Sequence, residues 1–188
     1  MSDTEVESSD HLEHFASISW CAQHLRGPRI ITGIPSSRLP KPNGEDSLYA
    51  ETLKSQTTIL AMLEVYEEPV LPTERVNSIK TFLTLGSGLN GHADVAHGGI
   101  VATILDEVIG LLIPINQQRG SIPDVPYMTA FLNTTFLKPV PTCATILSQA
   151  KILKVEGRKY FAEGWIEDGH GVILARAEAL YVALKSSL

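Results

Sequence analysis

The most constraining feature of the sequence is an apolar segment that follows directly on the motif His97-Gly98-Gly99. From residue 98 to about residue 116, apolar side chains recur at helical spacing, which predicts one long helix. One stripe of this helix is expected to pack onto a sheet: Val101, Ile104, Leu105, Val108 and Leu112. The glycines allow close backbone approach to a ligand, and the first helical turn offers free N–H groups to an oxygen anion.

One acid interrupts the apolar face of this helix. Asp106 follows Gly99 by seven residues, so it lies on nearly the same face and about 10 Å further along the axis. A carboxylate among small and apolar residues is costly, which makes Asp106 a candidate catalytic residue. Glu107 points about 100° away and is interpreted as a solvent-facing acid. Because one helix cannot present Asp106 and the Gly99 amide to a single carbonyl, the spacing favours a homodimer with shared sites, with a tetramer left open.

Composition and charge restrict the class of protein. The 188 residues are 44% hydrophobic and 19% charged, with a net charge of −6, as in a globular domain with an extension. The negative charge argues against nucleic-acid binding. Cys21 and Cys143 fit no metal or disulfide pattern. Since we find neither a secretory signal nor an unbroken apolar run of about 18 residues, we expect a cytoplasmic protein without a membrane span.

The chain divides at about residue 50. Residues 1–50 are interpreted as an N-terminal extension, in which a polar, disordered start precedes an amphipathic helix over about residues 11–25 and a linker rich in Pro and Gly. Residues 51–188 form the main domain. Within it, apolar spacing over residues 57–67 predicts a helix, and alternation over residues 77–85 predicts a strand.

Four strands are predicted after the central helix, and turn signals separate them: residues 127–137, 145–155, 159–167 and 172–184. Short turns join the last three, which predicts an antiparallel meander. One strand, a long buried helix and four further strands define an α+β architecture, an antiparallel sheet wrapped around the helix. This is the hotdog fold.

Over residues 83–184 the sequence resembles the hotdog-fold acyl-CoA thioesterases of the PaaI-like group. It is most similar to the branch that contains thioesterase superfamily members 4 and 5 and their fungal relatives. The resemblance rests on the order of several motifs, namely His97-Gly98-Gly99 with Asp106, Met128-Thr129-Ala130, Phe136-Leu137-Lys138-Pro139-Val140-Pro141 and Val155-Glu156-Gly157-Arg158-Lys159. The segment around Trp20 and Cys21 also resembles the N-terminal extension of that branch.

This resemblance implies hydrolysis of an acyl-CoA thioester without a metal, so that coenzyme A is part of the substrate and no cofactor is needed. Asp106 corresponds to the catalytic carboxylate, as general base or as nucleophile, and His97, Gly98 and Gly99 correspond to the oxyanion site. Thr129 corresponds to a hydroxyl that faces the acid across the dimer, although a β-branched strand residue is also often purely structural. An apolar tunnel beside the helix is expected to take the acyl chain.

Four further residues match ligand-contacting positions of the family. Arg158 and Lys159 correspond to a basic pair near the coenzyme A phosphates, although two cations in a tight turn are also often only solvated. Lys138 and Thr135 fall on another ligand-contacting stretch. Leu137 is apolar where some relatives are basic, so the contacts to coenzyme A are expected to differ in detail.

Gly91 departs from the family pattern, because many relatives carry Asn or Gln there to polarise the thioester. Asn90 is the nearest amide that could serve instead. His92, Asp94 and His97 are not interpreted as a metal site, since no other ligands cluster nearby. Two alternatives stay open: a hotdog enzyme that dehydrates, hydrates or cyclises a polyketide-like thioester, and a non-catalytic acyl-CoA- or lipid-binding dimer.

Overall fold

The computed structural model describes residues 3–185. Its helices are α1 (Asp3–Ala16), α2 (Ser19–Ala22), α3 (Gly98–Gly110) and α4 (Leu112–Gln118). Its strands are β1 (Ile30–Gly33), β2 (Ile59–Glu67), β3 (Ser78–Leu85), β4 (Asn90–His92), β5 (Val95–Ala96), β6 (Tyr127–Phe136), β7 (Ala144–Glu156), β8 (Lys159–Glu167) and β9 (Ile173–Ala183).

Seven of the strands form one sheet in the order β1-β2-β3-β7-β8-β9-β6, and neighbouring strands are antiparallel throughout. The predicted meander of β7, β8 and β9 is confirmed. α3 packs on one face of the sheet, and each residue of its predicted stripe is at most 2% exposed. β4 and β5 form a short separate ribbon before α3. β6 lies at an edge of the sheet, which becomes important for the site.

The prediction of one continuous helix to about residue 116 is wrong in one respect, because the helix breaks at Leu111. Pro114 explains the break. A proline has no N–H to donate to the carbonyl of Gly110, and its ring clashes with that carbonyl. The chain therefore ends α3 at Gly110 and begins α4 at Leu112.

The segment predicted as a helix over residues 57–67 is the strand β2. Both of its faces are covered: Met62 packs into the cluster around α3, and Leu63 packs into a second cluster on the opposite face of the sheet. A strand buried on both faces is apolar almost continuously, and periodicity then fails to separate it from a buried helix.

The N-terminal extension supplies the second cluster. Phe15 and Cys21 are fully buried and pack with Phe82 on the face of the sheet opposite α3. His11 Nδ1 donates to the carbonyl of Met62 (3.1 Å), which fixes α1 over β2. The predicted helix over residues 11–25 is therefore two helices, α1 and α2, and α1 already begins at residue 3, within the stretch that the sequence predicts to be disordered. Residues 1 and 2 lie outside the described residues.

The stretch predicted as an irregular linker is an integral part of the fold. β1 pairs with β2 and extends the sheet. Arg38 is fully buried and donates to the carbonyls of Tyr49 (3.2 Å), Leu53 (3.0 Å) and Ile59 (3.0 Å). These bonds tie residues 36–38 to the start of β2, so the linker has a fixed position against the main domain.

By length and composition alone, Gly98–Gln118 is apolar enough to cross a membrane, with a mean hydropathy of 1.9. Half of its most apolar stretch is buried inside the protein. The core helix of a globular domain has the same composition, so the position of α3 against the sheet accounts for this hydropathy.

Candidate active site

Asp106 is the centre of a hydrogen-bonded group that joins α3 to the edge of the sheet. Thr129 Oγ1 donates to Asp106 Oδ1 (3.1 Å). Tyr181 Oη lies within hydrogen-bond distance of the same carboxylate oxygen (3.0 Å) and of the main-chain carbonyl oxygen of Asp106 (2.7 Å). Thr129 and Tyr181 are directly opposite one another in the β6–β9 register, so both side chains meet the helix at one place.

This arrangement corrects the expectation for Thr129. The family resemblance implies that Thr129 faces the acid across a dimer interface, whereas the structure forms the bond within one chain, because β6 lies beside β9 beneath α3. The two hydroxyls hold the carboxyl group of Asp106 in a fixed orientation. No side chain among residues 7–185 donates to Oδ2, which leaves that oxygen available to a water molecule or a substrate carbon.

Tyr181 is a site residue that the sequence reasoning missed. Burial and the charge of Asp106 raise its pKa above the ordinary value, so the phenol stays protonated and acts as a donor. The sequence of β9 contains a signal for this role, because buried and more exposed residues alternate along most of the strand. The buried positions around Tyr181 are otherwise small: Ala177, Ala179 and Ala183. A single tyrosine among alanines on a core-facing strand indicates a phenol that has a specific partner.

His97 forms the N-terminal cap of α3. The N–H of Gly99 donates to His97 Nδ1 (3.0 Å), so the neutral imidazole carries its proton on Nε2. The prediction that the amides of both Gly98 and Gly99 face a ligand is therefore wrong for Gly99, whose N–H is occupied by the cap. The remaining donors of this turn are the Gly98 amide and His97 Nε2–H, and within the described residues neither has an acceptor.

The structure explains why residue 91 is a glycine. A Cβ at Gly91 would lie 2.8 Å from Cα and 3.2 Å from Cβ of His97, because the β4–β5 ribbon runs against the cap. The N–H of His97 also donates to the carbonyl of Leu89 (2.8 Å). Asn90, the nearest amide, accepts a bond from Thr142 Oγ1 through Oδ1 (2.5 Å). An Asn or Gln at position 91 cannot enter this turn unless His97 moves.

We therefore expect Gly91→Ala to destabilise the protein by about 1–3 kcal/mol, the usual cost of forcing extra atoms into a packed site. The free energy of unfolding, measured by denaturant titration, tests this. Gly33→Ala is the matched control, because the nearest atom to a Cβ there is Glu64 Oε1 at 3.8 Å, an ordinary contact. Equal destabilisation by the two substitutions would show that the contact with His97 has no special cost.

The structure does not bring the predicted basic pair to the His97 turn of the same chain. Arg158 and Lys159 lie at the turn between β7 and β8, where Arg158 Nη1 donates to the carbonyl of Ala183 (2.8 Å). Ala183 pairs with Tyr127 at one end of β6, whereas Gly98 lies against Phe136 at the other end. A strand of this length separates the two places by about 30 Å.

The other two predicted ligand contacts also lie apart from Asp106. Thr135 pairs with Arg176, and both line a shallow cavity of about 340 Å³ together with Trp165. This cavity is on the face of the sheet opposite α3. Lys138 follows the end of β6 and is exposed, and its main-chain N–H donates to the carbonyl of Leu174 (2.9 Å).

A cavity of about 520 Å³ lies beside Asp106. Its walls are α3 with α4, the segment before and at the start of β6, and the part of the N-terminal extension around residues 36–46. The cavity is not the purely apolar tunnel that was expected, because its lining combines apolar residues with five acids: Glu45, Asp46, Asp106, Glu107 and Asp124. The polar wall arises because the extension folds over the helix, which local sequence patterns do not report.

Glu107 is not the solvent-facing acid that the sequence predicts. It lines the cavity next to Asp106, and burial raises its pKa to about 7. Residues 36–46 cover the side of α3 that would otherwise face water. In the part of the chain that the structure describes, no three His, Cys, Asp or Glu side chains come together as metal ligands.

Comparison with known proteins then identifies part of the chain. Residues 93–175 match the family described as the thioesterase superfamily. This segment is a thioesterase superfamily domain. It contains His97, Asp106 and Thr129, whereas Tyr181 lies just beyond the matched residues. The predicted hotdog fold of the thioesterase domain is thereby confirmed.

Three relatives illustrate the similarity of the thioesterase domain to known proteins. Mouse acyl-coenzyme A thioesterase THEM4 is 32% identical over 100 residues, which are 53% of this chain and 40% of that protein. Verlamelin biosynthesis protein B of Lecanicillium is 28% identical over 167 residues, 72% of this chain and 71% of that protein. The solved structure of a phenylacetic acid degradation-related protein from Ralstonia eutropha has the same fold, with a TM-score of 0.54 at 18% identity, over 77% of this chain and 92% of that one. The chain thus spans less than half of the length of the mouse relative.

Proposed function

We propose that this protein hydrolyses acyl-CoA thioesters to a carboxylic acid and free coenzyme A. The observation that carries the proposal is the state of Asp106 within the thioesterase domain. Oδ1 is held by Thr129 and Tyr181, while Oδ2, beside a cavity, receives no donor from the part of the chain that the structure describes. A carboxylate in this state can accept a proton from water or attack a carbonyl carbon. The similarity to an acyl-coenzyme A thioesterase supports the same reaction.

In the general-base route, a water molecule hydrogen-bonded to Asp106 Oδ2 attacks the thioester carbonyl carbon and transfers a proton to the carboxylate. The carbonyl oxygen becomes an oxyanion, which His97 Nε2–H and the Gly98 amide stabilise. Collapse of this intermediate breaks the carbon–sulfur bond, and the proton on Asp106 passes to the departing thiolate. In the nucleophilic route, Asp106 attacks the carbonyl carbon first, and the carbon–sulfur bond breaks as the coenzyme A thiolate leaves. Water then hydrolyses the mixed anhydride, which gives the carboxylic acid and restores the Asp106 carboxylate.

The geometry of α3 supports a homodimer with shared sites as part of the proposal. Asp106 lies about 10 Å along the helix from Gly99, too far for both to act on one carbonyl. β6 is an edge strand, and its large apolar side chains are exposed: Met128, Phe131 and Phe136. Antiparallel pairing of two β6 strands about a two-fold axis sets the Tyr127 end of each against the Phe136 end of the other.

Such a pairing would join the elements that one chain keeps apart. Asp106 and Thr129 of one chain would approach the His97 turn of a second chain. Arg158 and Lys159, beyond the Tyr127 end, would approach the same turn, where phosphates of coenzyme A could bind to them. The assignment of Arg158 and Lys159 to coenzyme A therefore depends on the dimer. Thr135 and Lys138 have weaker support, since Thr135 lies on the opposite face of the sheet from Asp106.

The direct test is release of free thiol from acyl-CoA thioesters of graded chain length. We expect turnover with a maximum at one range of lengths, because the cavity beside Asp106 has a limited volume of about 520 Å³. If no thioester in the series is hydrolysed while light scattering shows an intact dimer, hydrolysis is not the function.

A second candidate is favoured by one specific observation. The similarity to a verlamelin biosynthesis protein covers more of the chain than the similarity to the mouse thioesterase. That relative is named for biosynthesis, which fits a hotdog enzyme that acts on a polyketide-like thioester by dehydration, hydration or cyclisation. Mass spectrometry of the products separates the two functions, since hydrolysis yields free acid and coenzyme A, whereas dehydration or hydration leaves the thioester intact.

A further inference from the structure

The cavity beside Asp106 contains two polar groups that hydrolysis itself does not use. Glu107 is the neighbour of Asp106 on α3, and Ser37 lies on the N-terminal extension across the cavity. Ser37 is 5% exposed. Its hydroxyl faces the Glu107 carboxyl and opposes the effect of burial on the pKa of that group. The contact does not reach full hydrogen-bond geometry, because the Ser37 oxygen has no hydrogen-bond partner within the described residues.

Arg38 fixes this side of the cavity in place. Its three bonds to main-chain carbonyls anchor the turn that carries Ser37. Lys54 Nζ also donates to the carbonyl of Arg38 (3.1 Å). A mobile loop could leave the Ser37 hydroxyl to water, but an anchored turn presents it at a constant position, as a preorganised binding group does.

A saturated acyl chain would offer no hydrogen bond to Ser37 or Glu107, which would keep only the incomplete contact between them. Buried polar groups that lack hydrogen bonds are costly, so an unsubstituted chain would bind at a disadvantage. The pKa of Glu107, raised to about 7 by burial, means that near neutral pH this carboxyl exists both as a donor and as an acceptor. A serine hydroxyl is likewise both donor and acceptor. The complementary ligand group is one that can also do both, which a hydroxyl does.

Two of the acids that line the cavity already have a cation of the protein as their partner. Lys41 lies on the same wall and is paired with Asp46 (2.5 Å) and Glu45 (3.7 Å). The protein thus supplies its own cation to these acids. A positively charged ligand is therefore not needed to balance them.

The position of Glu107 indicates where on the acyl group this hydroxyl lies. The helical lining of the cavity runs from Asp106 to Gln117, a distance of about 17 Å along the axis. Asp106 acts at the thioester carbonyl, and Glu107 is the next residue. The contact is therefore made near the thioester, while Ile113 and Pro114 line the cavity further along.

We propose that Ser37 and Glu107 bind a hydroxyl group on one of the first carbons of the acyl chain, so that the preferred substrates are hydroxyacyl thioesters. This inference rests on the proposed hydrolysis of acyl-CoA. It assigns specificity to a residue of the N-terminal extension and to the acid beside the catalytic one.

The test compares kcat/KM for a β-hydroxyacyl-CoA and for the unsubstituted acyl-CoA of the same chain length. We expect the wild-type protein to prefer the hydroxyacyl substrate by about 10–100-fold, as expected for a site that pairs with a substrate hydroxyl. Glu107→Gln should retain most of this preference because an amide still forms hydrogen bonds. Glu107→Leu should abolish it, and Ser37→Ala should reduce it. Glu178→Gln, on the exposed face of β9, is the control and should change nothing.

A second measurement keeps this inference separate from the proposed hydrolysis. Calorimetric binding of the same two thioesters to the Asp106→Asn variant reports the preference without turnover. Suppose that the wild-type protein hydrolyses neither thioester but that Asp106→Asn still binds the hydroxyacyl compound more tightly. The proposed hydrolysis is then wrong, whereas the proposed hydroxyl-binding site is supported. Equal affinity for the two compounds, or a preference that Glu107→Leu leaves unchanged, overturns the inference.

Discussion

Asp106→Asn is expected to lower kcat for acyl-CoA hydrolysis by about 10²–10⁴-fold, the usual contribution of a general base. The variant should fold normally. An Asn side chain has almost the same shape, and its amide oxygen can still accept from Thr129 and Tyr181 in place of Oδ1. What it loses is the basic, nucleophilic oxygen at the Oδ2 position. Thiol release at saturating substrate measures the effect.

Thermal unfolding and circular dichroism of the same preparation separate a catalytic loss from a structural one. Glu178→Gln provides a matched change of acid to amide on the opposite face of the sheet, where Glu178 pairs with Asn133, and full activity is expected for it. An Asp106→Asn protein that retains more than a tenth of wild-type turnover would show that neither the base nor the nucleophile is Asp106.

The second large effect is recovery of activity when two inactive variants are mixed. Asp106→Asn removes the carboxylate, and His97→Ala removes an oxyanion donor, which typically costs about 10²–10³-fold in kcat. If each site combines Asp106 of one chain with the His97 turn of another, a mixed dimer contains one doubly altered site and one unaltered site. Random exchange makes half of the dimers mixed, so about one quarter of wild-type activity should return.

The experiment requires that subunits exchange, which mild denaturation and refolding of the mixture provides. Refolded wild-type protein sets the full value, and each variant refolded alone sets the background. If the mixture shows only the mean of the two backgrounds while mass spectrometry detects mixed dimers, each site is built from a single chain.

The sequence predicts an element of the fold most reliably where the spacing of its apolar residues reflects packing against a single surface. The α3 stripe faces a single apolar surface, and its period identifies both the helix and its buried side. Asp106 is recognisable for the same reason, as a carboxylate at the border of that stripe. β2 is misread because two different surfaces cover it, one from α3 and one from the N-terminal helices.

The parts of the site that could not be predicted depend on contacts between distant segments. Tyr181 reaches Asp106 because β9, far later in the chain, packs against α3. Glu107 is removed from water by the turn around Ser37, far earlier in the chain. The capture of the Gly99 amide by His97 depends on one rotamer of a histidine, which a motif does not encode.

The cavity wall around Ser37 has a consequence for how the ligand specificity of such a protein can change in evolution. Residues 36–46 lie outside the segment that matches the thioesterase superfamily, although they border the same cavity as Asp106. Insertions, deletions and substitutions in this stretch can change which ligands the cavity accepts and leave Asp106, Thr129 and Tyr181 in place. Ligand specificity can then change over evolution independently of the chemistry at Asp106.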